Sequence, residues 1–82
     1  MPRRLRRLAA RDVLQALRAF GFETVKTRGS HAKLKRVKPD GKVEILTVPL
    51  HKELAAGTLR AIYRQAARYV PEEELRPVFF AD

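Results

Sequence analysis

The chain has 82 residues, with 18 Lys and Arg against nine Asp and Glu, which leaves a net charge of +9. A chain of this length buries only about 60 to 65 per cent of its unfolded surface, so a large multilayer enzyme is excluded, and the absence of cysteine excludes a disulfide scaffold and a thiolate metal site. The positive charge favours polyanionic partners, nucleic acid first and an anionic membrane second.

The basic start "MPRRLRRLAARD" is not followed by an apolar run of roughly 7 to 15 residues, so it does not resemble a secretory signal. No segment approaches the ~20 apolar residues of a membrane span. We therefore expect a soluble cytoplasmic protein that forms one domain over residues 1–82 and has no membrane partner.

Apolar residues at helical spacing predict a first helix from about Ala9 to Phe20. Gly21 follows at the position where a left-handed residue commonly ends a helix. The start is less defined, because no Ser, Thr or Asn caps it and Pro2, Leu5 and Leu8 allow the helix to extend backwards.

Three short segments rich in β-branched or alternating residues predict strands over 22–28, 30–37 and 42–50. Gly29 joins the first two tightly. Between the second and third, Pro39 and Asp40 suit a type I turn and Gly41 suits the positive-φ position that follows. Connections this short predict an antiparallel meander.

A second helix is predicted from about Thr58 to Tyr69, and Pro71 ends it. The order is helix, three strands, helix. We therefore expect an α+β fold of α-β-β-β-α order, in which a three-stranded antiparallel sheet carries two helices on one face and exposes the other face to solvent.

The open face of this sheet is where we expect a functional site. Successive strand residues point to opposite faces, so if Leu34 faces the helices, three neighbours face water: His31, Lys33 and Lys35. Lys26 and Arg28 share a face of the first strand, and cross-strand pairing would gather these cations around one imidazole. Such a cluster predicts a phosphate-binding surface with a proton-transfer group in it.

Two interpretations of the segment "RGSH" are open. One is a tight glycine turn followed by an ordinary surface histidine. The other is RNA cleavage, in which imidazole takes the proton of a ribose 2′-hydroxyl and cations stabilise the charge that develops on the phosphate. DNA lacks this hydroxyl, so the second interpretation confines the chemistry to RNA.

Alternatives also stand for neighbouring candidates. Ser30 either donates a hydrogen bond to substrate or caps the turn, and His51 is either a second acid for the leaving oxygen or a loop residue. Phe79 and Phe80 either close over the protein's own core or dock a partner. The two histidines lie twenty positions apart without metal-ligand spacing, so we expect neither a metal nor another cofactor.

The segments "GFETVKTRGSHAKLKR", "LTVPLH" and "KELAAGTLRAIYRQA" resemble the HicA (YcfA-like) family of bacterial toxin endoribonucleases, in the family's order and over about Arg11 to Ala67. The resemblance implies a double-stranded-RNA-binding-domain-like fold, ribosome-independent mRNA cleavage and a HicB-type antitoxin partner. His31 matches the family's catalytic histidine, and Gly29 and Ser30 complete that motif. The segment 57–60 matches a second motif, to which we assign a structural role.

The chain departs from the family pattern in a basic N-terminal extension, 1–8, and in the tail 71–82, so the roles of those segments are not inherited.

The candidate RNA-binding residues are the cations of the open face and the turn before His31: Lys26, Arg28, Gly29, Ser30, Lys33 and Lys35. A non-catalytic RNA-binding module is the alternative function, although "ELAAGTLR" lacks the lysine cluster with which such domains grip duplex phosphates. A protein that only binds its partner, with RNA cleavage lost, is a third.

Overall fold

A computed structural model describes residues 4–81. Its helices are α1 (Ala10–Ala19), α2 (Ala56–Ala66) and α3 (Glu72–Phe79), and its strands are β1 (Arg4–Leu5), β2 (Glu23–Arg28), β3 (His31–Val37), β4 (Val43–Pro49) and β5 (Phe80–Ala81). Strands β2, β3 and β4 form an antiparallel sheet in that order. The predicted α+β fold and its three-stranded meander are thus confirmed.

Helix α1 ends at Ala19, and Gly21, with a φ of 101°, is the left-handed residue that stops it, as predicted. The Gly21 amide donates to the carbonyl of Arg18 and the Phe22 amide to that of Leu17, the paired bonds of a Schellman motif. At the other end, the Asp12 carboxylate accepts from the amide of Ala9, at 2.9 Å. The backward extension is wrong for Leu5 and Leu8, since the helix begins at Ala10 and Leu5 lies in β1. Pro2 lies outside the described residues.

Both predicted hairpin turns use a glycine with positive φ. Gly29 (φ 58°) takes the first central position of the two-residue turn between β2 and β3, as in type II′ turns. Gly41 (φ 88°) donates its amide to the carbonyl of Lys38, which closes the β3–β4 turn. These turns set the register of the sheet, except beyond a β-bulge between Thr24 and Lys26 in β2.

The core lies between the helices and one face of the sheet. Leu34 and Val48 are buried on that face, and Leu17 of α1 and Ile62 of α2 pack against it. Strand β3 alternates between buried and exposed side chains over its first four residues. The opposite face is therefore open, which positions a site there.

On the core side of the sheet, Arg36 of β3 forms hydrogen bonds to the segments that follow α1 and α2. Its guanidinium donates to the carboxylate of the buried Glu44 at 2.6 Å, to the carbonyl of Phe20 at 2.8 Å and to that of Tyr69 at 2.9 Å. It also lies 4.7 Å from the centroid of the Phe22 ring. Arg36 therefore acts structurally, although it follows directly on the cations of the open face in the sequence.

The tail forms structure that the sequence analysis did not predict. Helix α3 packs on α2 through Leu75 and Phe79, both fully buried, and β5 pairs with β1. Phe80 stacks edge-on against Tyr63, with ring centroids 5.2 Å apart. The tail thus closes over the protein's own core. The three glutamates suit the first turn of a helix, but α3 is only eight residues long and contains Pro77, so the sequence pattern alone does not predict it.

No helix between residues 4 and 81 combines the length and the apolar character needed to cross a membrane.

Candidate active site on the open face of the sheet

The strand register brings the predicted residues together on the open face. His31 is paired with Arg28 on β2 and with Pro49 on β4. One step along the same face, Lys33 is paired with Lys26 and with Thr47. A β-bulge at Val25 follows, between Thr24 and Lys26.

Part of this face forms a shallow depression of about 190 Å³. Its walls are Lys26, Arg28, His31, Ala32, Lys33 and Thr47. Four of the six were expected from sequence: Lys26, Arg28, His31 and Lys33. Ala32 and Thr47 were not, and Thr47 lies there because of the register with β4. The imidazole is exposed to solvent, as the alternation in β3 predicts.

Lys35 lies apart from this depression. It is paired with Glu23 across the strands and lines a neighbouring groove with Val25 and Val37. Lys35 is two residues further from His31 than Lys33 is, and it lies opposite the carboxylate of Glu23. It is therefore less available than Lys33 to a phosphate bound at His31.

The pair Lys26–Lys33 is a feature that fold stability does not explain. Like charges directly opposite each other in a sheet destabilise it, by about 0.2 to 1 kcal/mol on the scale of cross-strand pairs. Arg28 adds a third cation beside them. A bound anion would turn this repulsion into attraction, so the arrangement suits a phosphate.

The turn that precedes His31 is tied to the end of β4. The amide of Leu50 donates to the carbonyl of Ser30 at 2.6 Å. A side chain added at Gly29 would meet no atom within 4 Å, so the glycine is required there for its backbone conformation and not for space. The turn also leaves room above it for a ligand backbone.

His51 lies in a different place. It lines a separate pocket with residues of the first turn of α1, and its carbonyl accepts a hydrogen bond from the amide of Ala10 at 3.0 Å. The structure therefore does not bring the two histidines into one depression.

Between residues 4 and 81, no three side chains among His, Asp and Glu come close enough together to form a metal-ligand set.

A family model described as "HicA toxin of bacterial toxin-antitoxin" matches residues 10–67. The chain belongs to the HicA toxin family. The match spans α1, the three-stranded sheet and α2, and leaves β1, α3 and β5 outside. No curated protein matches the chain. Membership of the HicA family makes the chain the toxin component of a toxin–antitoxin system and implies an antitoxin as its partner.

Proposed function

We propose that the protein is an endoribonuclease that cleaves mRNA, with His31 as its catalytic residue and without a metal or another cofactor. The observation that carries the proposal is an exposed imidazole paired with Arg28 and adjacent to the Lys26–Lys33 pair. Its substrate would be the mRNA of the cytoplasm, which is where we expect the toxin to act.

The proposed reaction is an internal transesterification. His31 removes the proton of a ribose 2′-hydroxyl as the 2′-oxygen attacks the adjacent phosphorus, and the bond from phosphorus to the 5′-oxygen breaks. The leaving 5′-oxygen takes up a proton from the imidazolium or from water. The products carry a 2′,3′-cyclic phosphate and a 5′-hydroxyl.

The surrounding cations would stabilise the charge of the pentacoordinate phosphorus. Arg28 is the cation paired with His31, so we assign it to the scissile phosphate, with Lys33 and Lys26 holding the same or the next phosphate. Lys35 would contact a phosphate further along the strand. Gly29 would allow close approach of the RNA backbone, and Ser30 would hold the turn.

The test is cleavage of one defined RNA by wild type and by His31→Ala. General acid–base groups contribute about 10² to 10⁴ in rate, so the variant should lose at least about 99 per cent of the activity while its RNA affinity is largely kept. Lys42→Ala, at the far end of the sheet, is the matched surface control. Activity of wild type should survive EDTA.

The alternative, a non-catalytic RNA-binding module, predicts binding without cleavage for both proteins. Growth arrest on expression that His31→Ala relieves would separate the nuclease from this alternative. Cleavage by His31→Ala at the wild-type rate would refute the assignment of the histidine, and loss of activity with EDTA in a contaminant-free sample would refute the metal-independent scheme.

The antitoxin would be a HicB-type protein that covers the open face. Three valines there are more than half exposed: Val25 (52%), Val37 (58%) and Val43 (52%). Val37 and Val43 are directly paired, and Val25 and Val37 line one groove. Aliphatic side chains of this kind contribute neither charge nor aromatic stacking to RNA binding, so they favour a protein partner.

Charge complementarity supports an acidic antitoxin. A second copy of this chain would bring two cationic clusters face to face, whereas an acidic protein anchored on the valines would neutralise Lys26, Lys33 and Arg28 and cover His31. Val37→Lys with Val43→Lys should abolish capture of the antitoxin and leave RNA cleavage in place. Undiminished capture by this variant would place the docking surface elsewhere.

A further inference from the structure

A second recess lies around the end of the sheet from His31. It has a volume of about 540 Å³, and its walls are the first turn of α1 and the segment 50–52 that follows β4. Ala9, Ala10, Leu14 and Leu50 form its apolar part. A recess of this size is in the range of pockets that hold small organic groups.

The rim of the recess carries two cations, Arg11 and Lys52, and one imidazole. Arg11, His51 and Lys52 line it and are exposed, and no carboxylate is among the lining residues. The nearby Asp12 accepts a hydrogen bond from the amide of Ala9. The combination of an apolar interior with a positive rim fits a flat, neutral ring attached to a phosphate backbone.

Two hydrogen bonds hold the recess in a set position relative to His31. The Ala10 amide donates to the His51 carbonyl, which joins the two walls, and the Leu50 amide donates to the carbonyl of Ser30, the residue before His31. Pro49 is the cross-strand partner of His31, and His51 on the rim follows Pro49 by two residues. Two residues span at most about 7 Å of extended chain, so the rim lies near His31.

We propose that this recess binds one unstacked nucleobase of the RNA strand whose phosphate lies at His31. The base would pack on Leu14 and Leu50 and stack on the imidazole of His51, while Arg11 and Lys52 contact its flanking phosphates. Single-stranded RNA is recognised by bases splayed out of the strand in this way. The inference rests on the proposed ribonuclease function and gives that function a site for base preference.

Ala9→Leu tests the inference, because it fills the recess without removing a core side chain. Ala9 is partly exposed and has an extended backbone (φ −84°, ψ 162°) that leucine adopts freely. Ala61→Leu, an exposed alanine of α2, is the matched control. Both changes are made in the full chain carrying His31→Ala, and binding is measured to a short oligouridylate and to an abasic ribose-phosphate oligomer of equal length.

We expect Ala9→Leu to weaken binding of the oligouridylate by about 5- to 150-fold, the factor equivalent to the 1 to 3 kcal/mol of one base-stacking contact. Binding of the abasic oligomer should stay unchanged, and Ala61→Leu should alter neither affinity. His51→Ala should also weaken the oligouridylate selectively.

Other outcomes overturn the inference in distinguishable ways. If Ala9→Leu binds oligouridylate as the control does, while wild type cleaves RNA, the recess is not a base site and the ribonuclease proposal stands. If only capture of the antitoxin falls, the recess is a protein-docking site. If the parent protein binds neither oligomer and wild type cleaves no RNA, the proposed function itself fails.

Discussion

Replacing both Lys26 and Lys33 should raise the stability of the protein and weaken its binding to RNA. In Lys26→Gln/Lys33→Gln, the sheet loses a like-charge cross-strand pair, so the variant should be more stable by about 0.2 to 1 kcal/mol. For a chain of this size, that corresponds to a rise in Tm of about 1 to 8 °C. The glutamines remain polar, although they are shorter than the lysines.

The same variant should bind RNA more weakly, and its affinity should depend less on salt. Each phosphate neutralised on a single strand contributes about 0.7 to the slope of log K against log salt, so the variant should lower the slope by about 0.7 if both lysines hold one phosphate and by about 1.4 if they hold two. Between 50 and 200 mM salt, wild type should therefore lose about 2.5- to sevenfold more affinity than the variant does. Lys38→Gln/Lys42→Gln, which changes the same number of charges at the β3–β4 turn, should leave the slope close to that of wild type.

The assays are fluorescence anisotropy with a labelled single-stranded RNA over a salt series, and thermal unfolding in the same buffers. Added salt should also narrow the difference in Tm, because exposed charges are screened. An equal fall in slope for both double variants would mean that binding follows net charge and not the depression at His31. A loss of stability in Lys26→Gln/Lys33→Gln would refute the repulsion on which the argument depends.

Three further predictions concern the scaffold. Arg36→Leu should lower the free energy of unfolding by about 3 to 5 kcal/mol, because it leaves the buried Glu44 carboxylate unpaired. Glu44→Gln should lower it less, because two carbonyls still accept hydrogen bonds from Arg36. Urea unfolding that gave the reverse order of stabilities would contradict this. Burial and the hydrogen bond to Glu72 raise the pKa of Tyr63 above the ordinary 10.0. The neutral phenol therefore contributes its full stabilisation below pH 10, and this stabilisation is lost as the pH rises through the higher pKa of the folded state. Spectrophotometric titration against Tyr63→Phe should show the high pKa, and Glu72→Gln should remove only part of the shift. Gly29→Ala should lower stability by about 1 to 2 kcal/mol through φ strain alone, and thermal unfolding no different from wild type would refute that.

The sequence determined the elements whose signals are local. Gly21 stops helix α1, and the hairpins turn at Gly29 and Gly41, because each position needs a positive φ, which glycine adopts without a Cβ clash. Likewise, the two-residue period of β3 separates Leu34 from His31 without reference to any other strand. These features follow from neighbours within a few positions along the chain.

The tertiary structure decided what depends on distant residues. Thr47 joins the depression, and Lys35 leaves it, through strand register alone. Arg36 belongs to the same basic run as Lys35 but points into the core, where carbonyls and a carboxylate from three separate segments satisfy it.

The tail illustrates the same limit. Helix α3 has only eight residues and contains Pro77, so its own sequence is too weak to establish a helix even though three glutamates suit its first turn. Burial of Leu75 and Phe79 stabilises it. Local chemistry therefore determined which residues could form a site on this sheet. Packing between distant segments decided which of them meet, because each contact there requires a partner that pattern within one segment does not reveal.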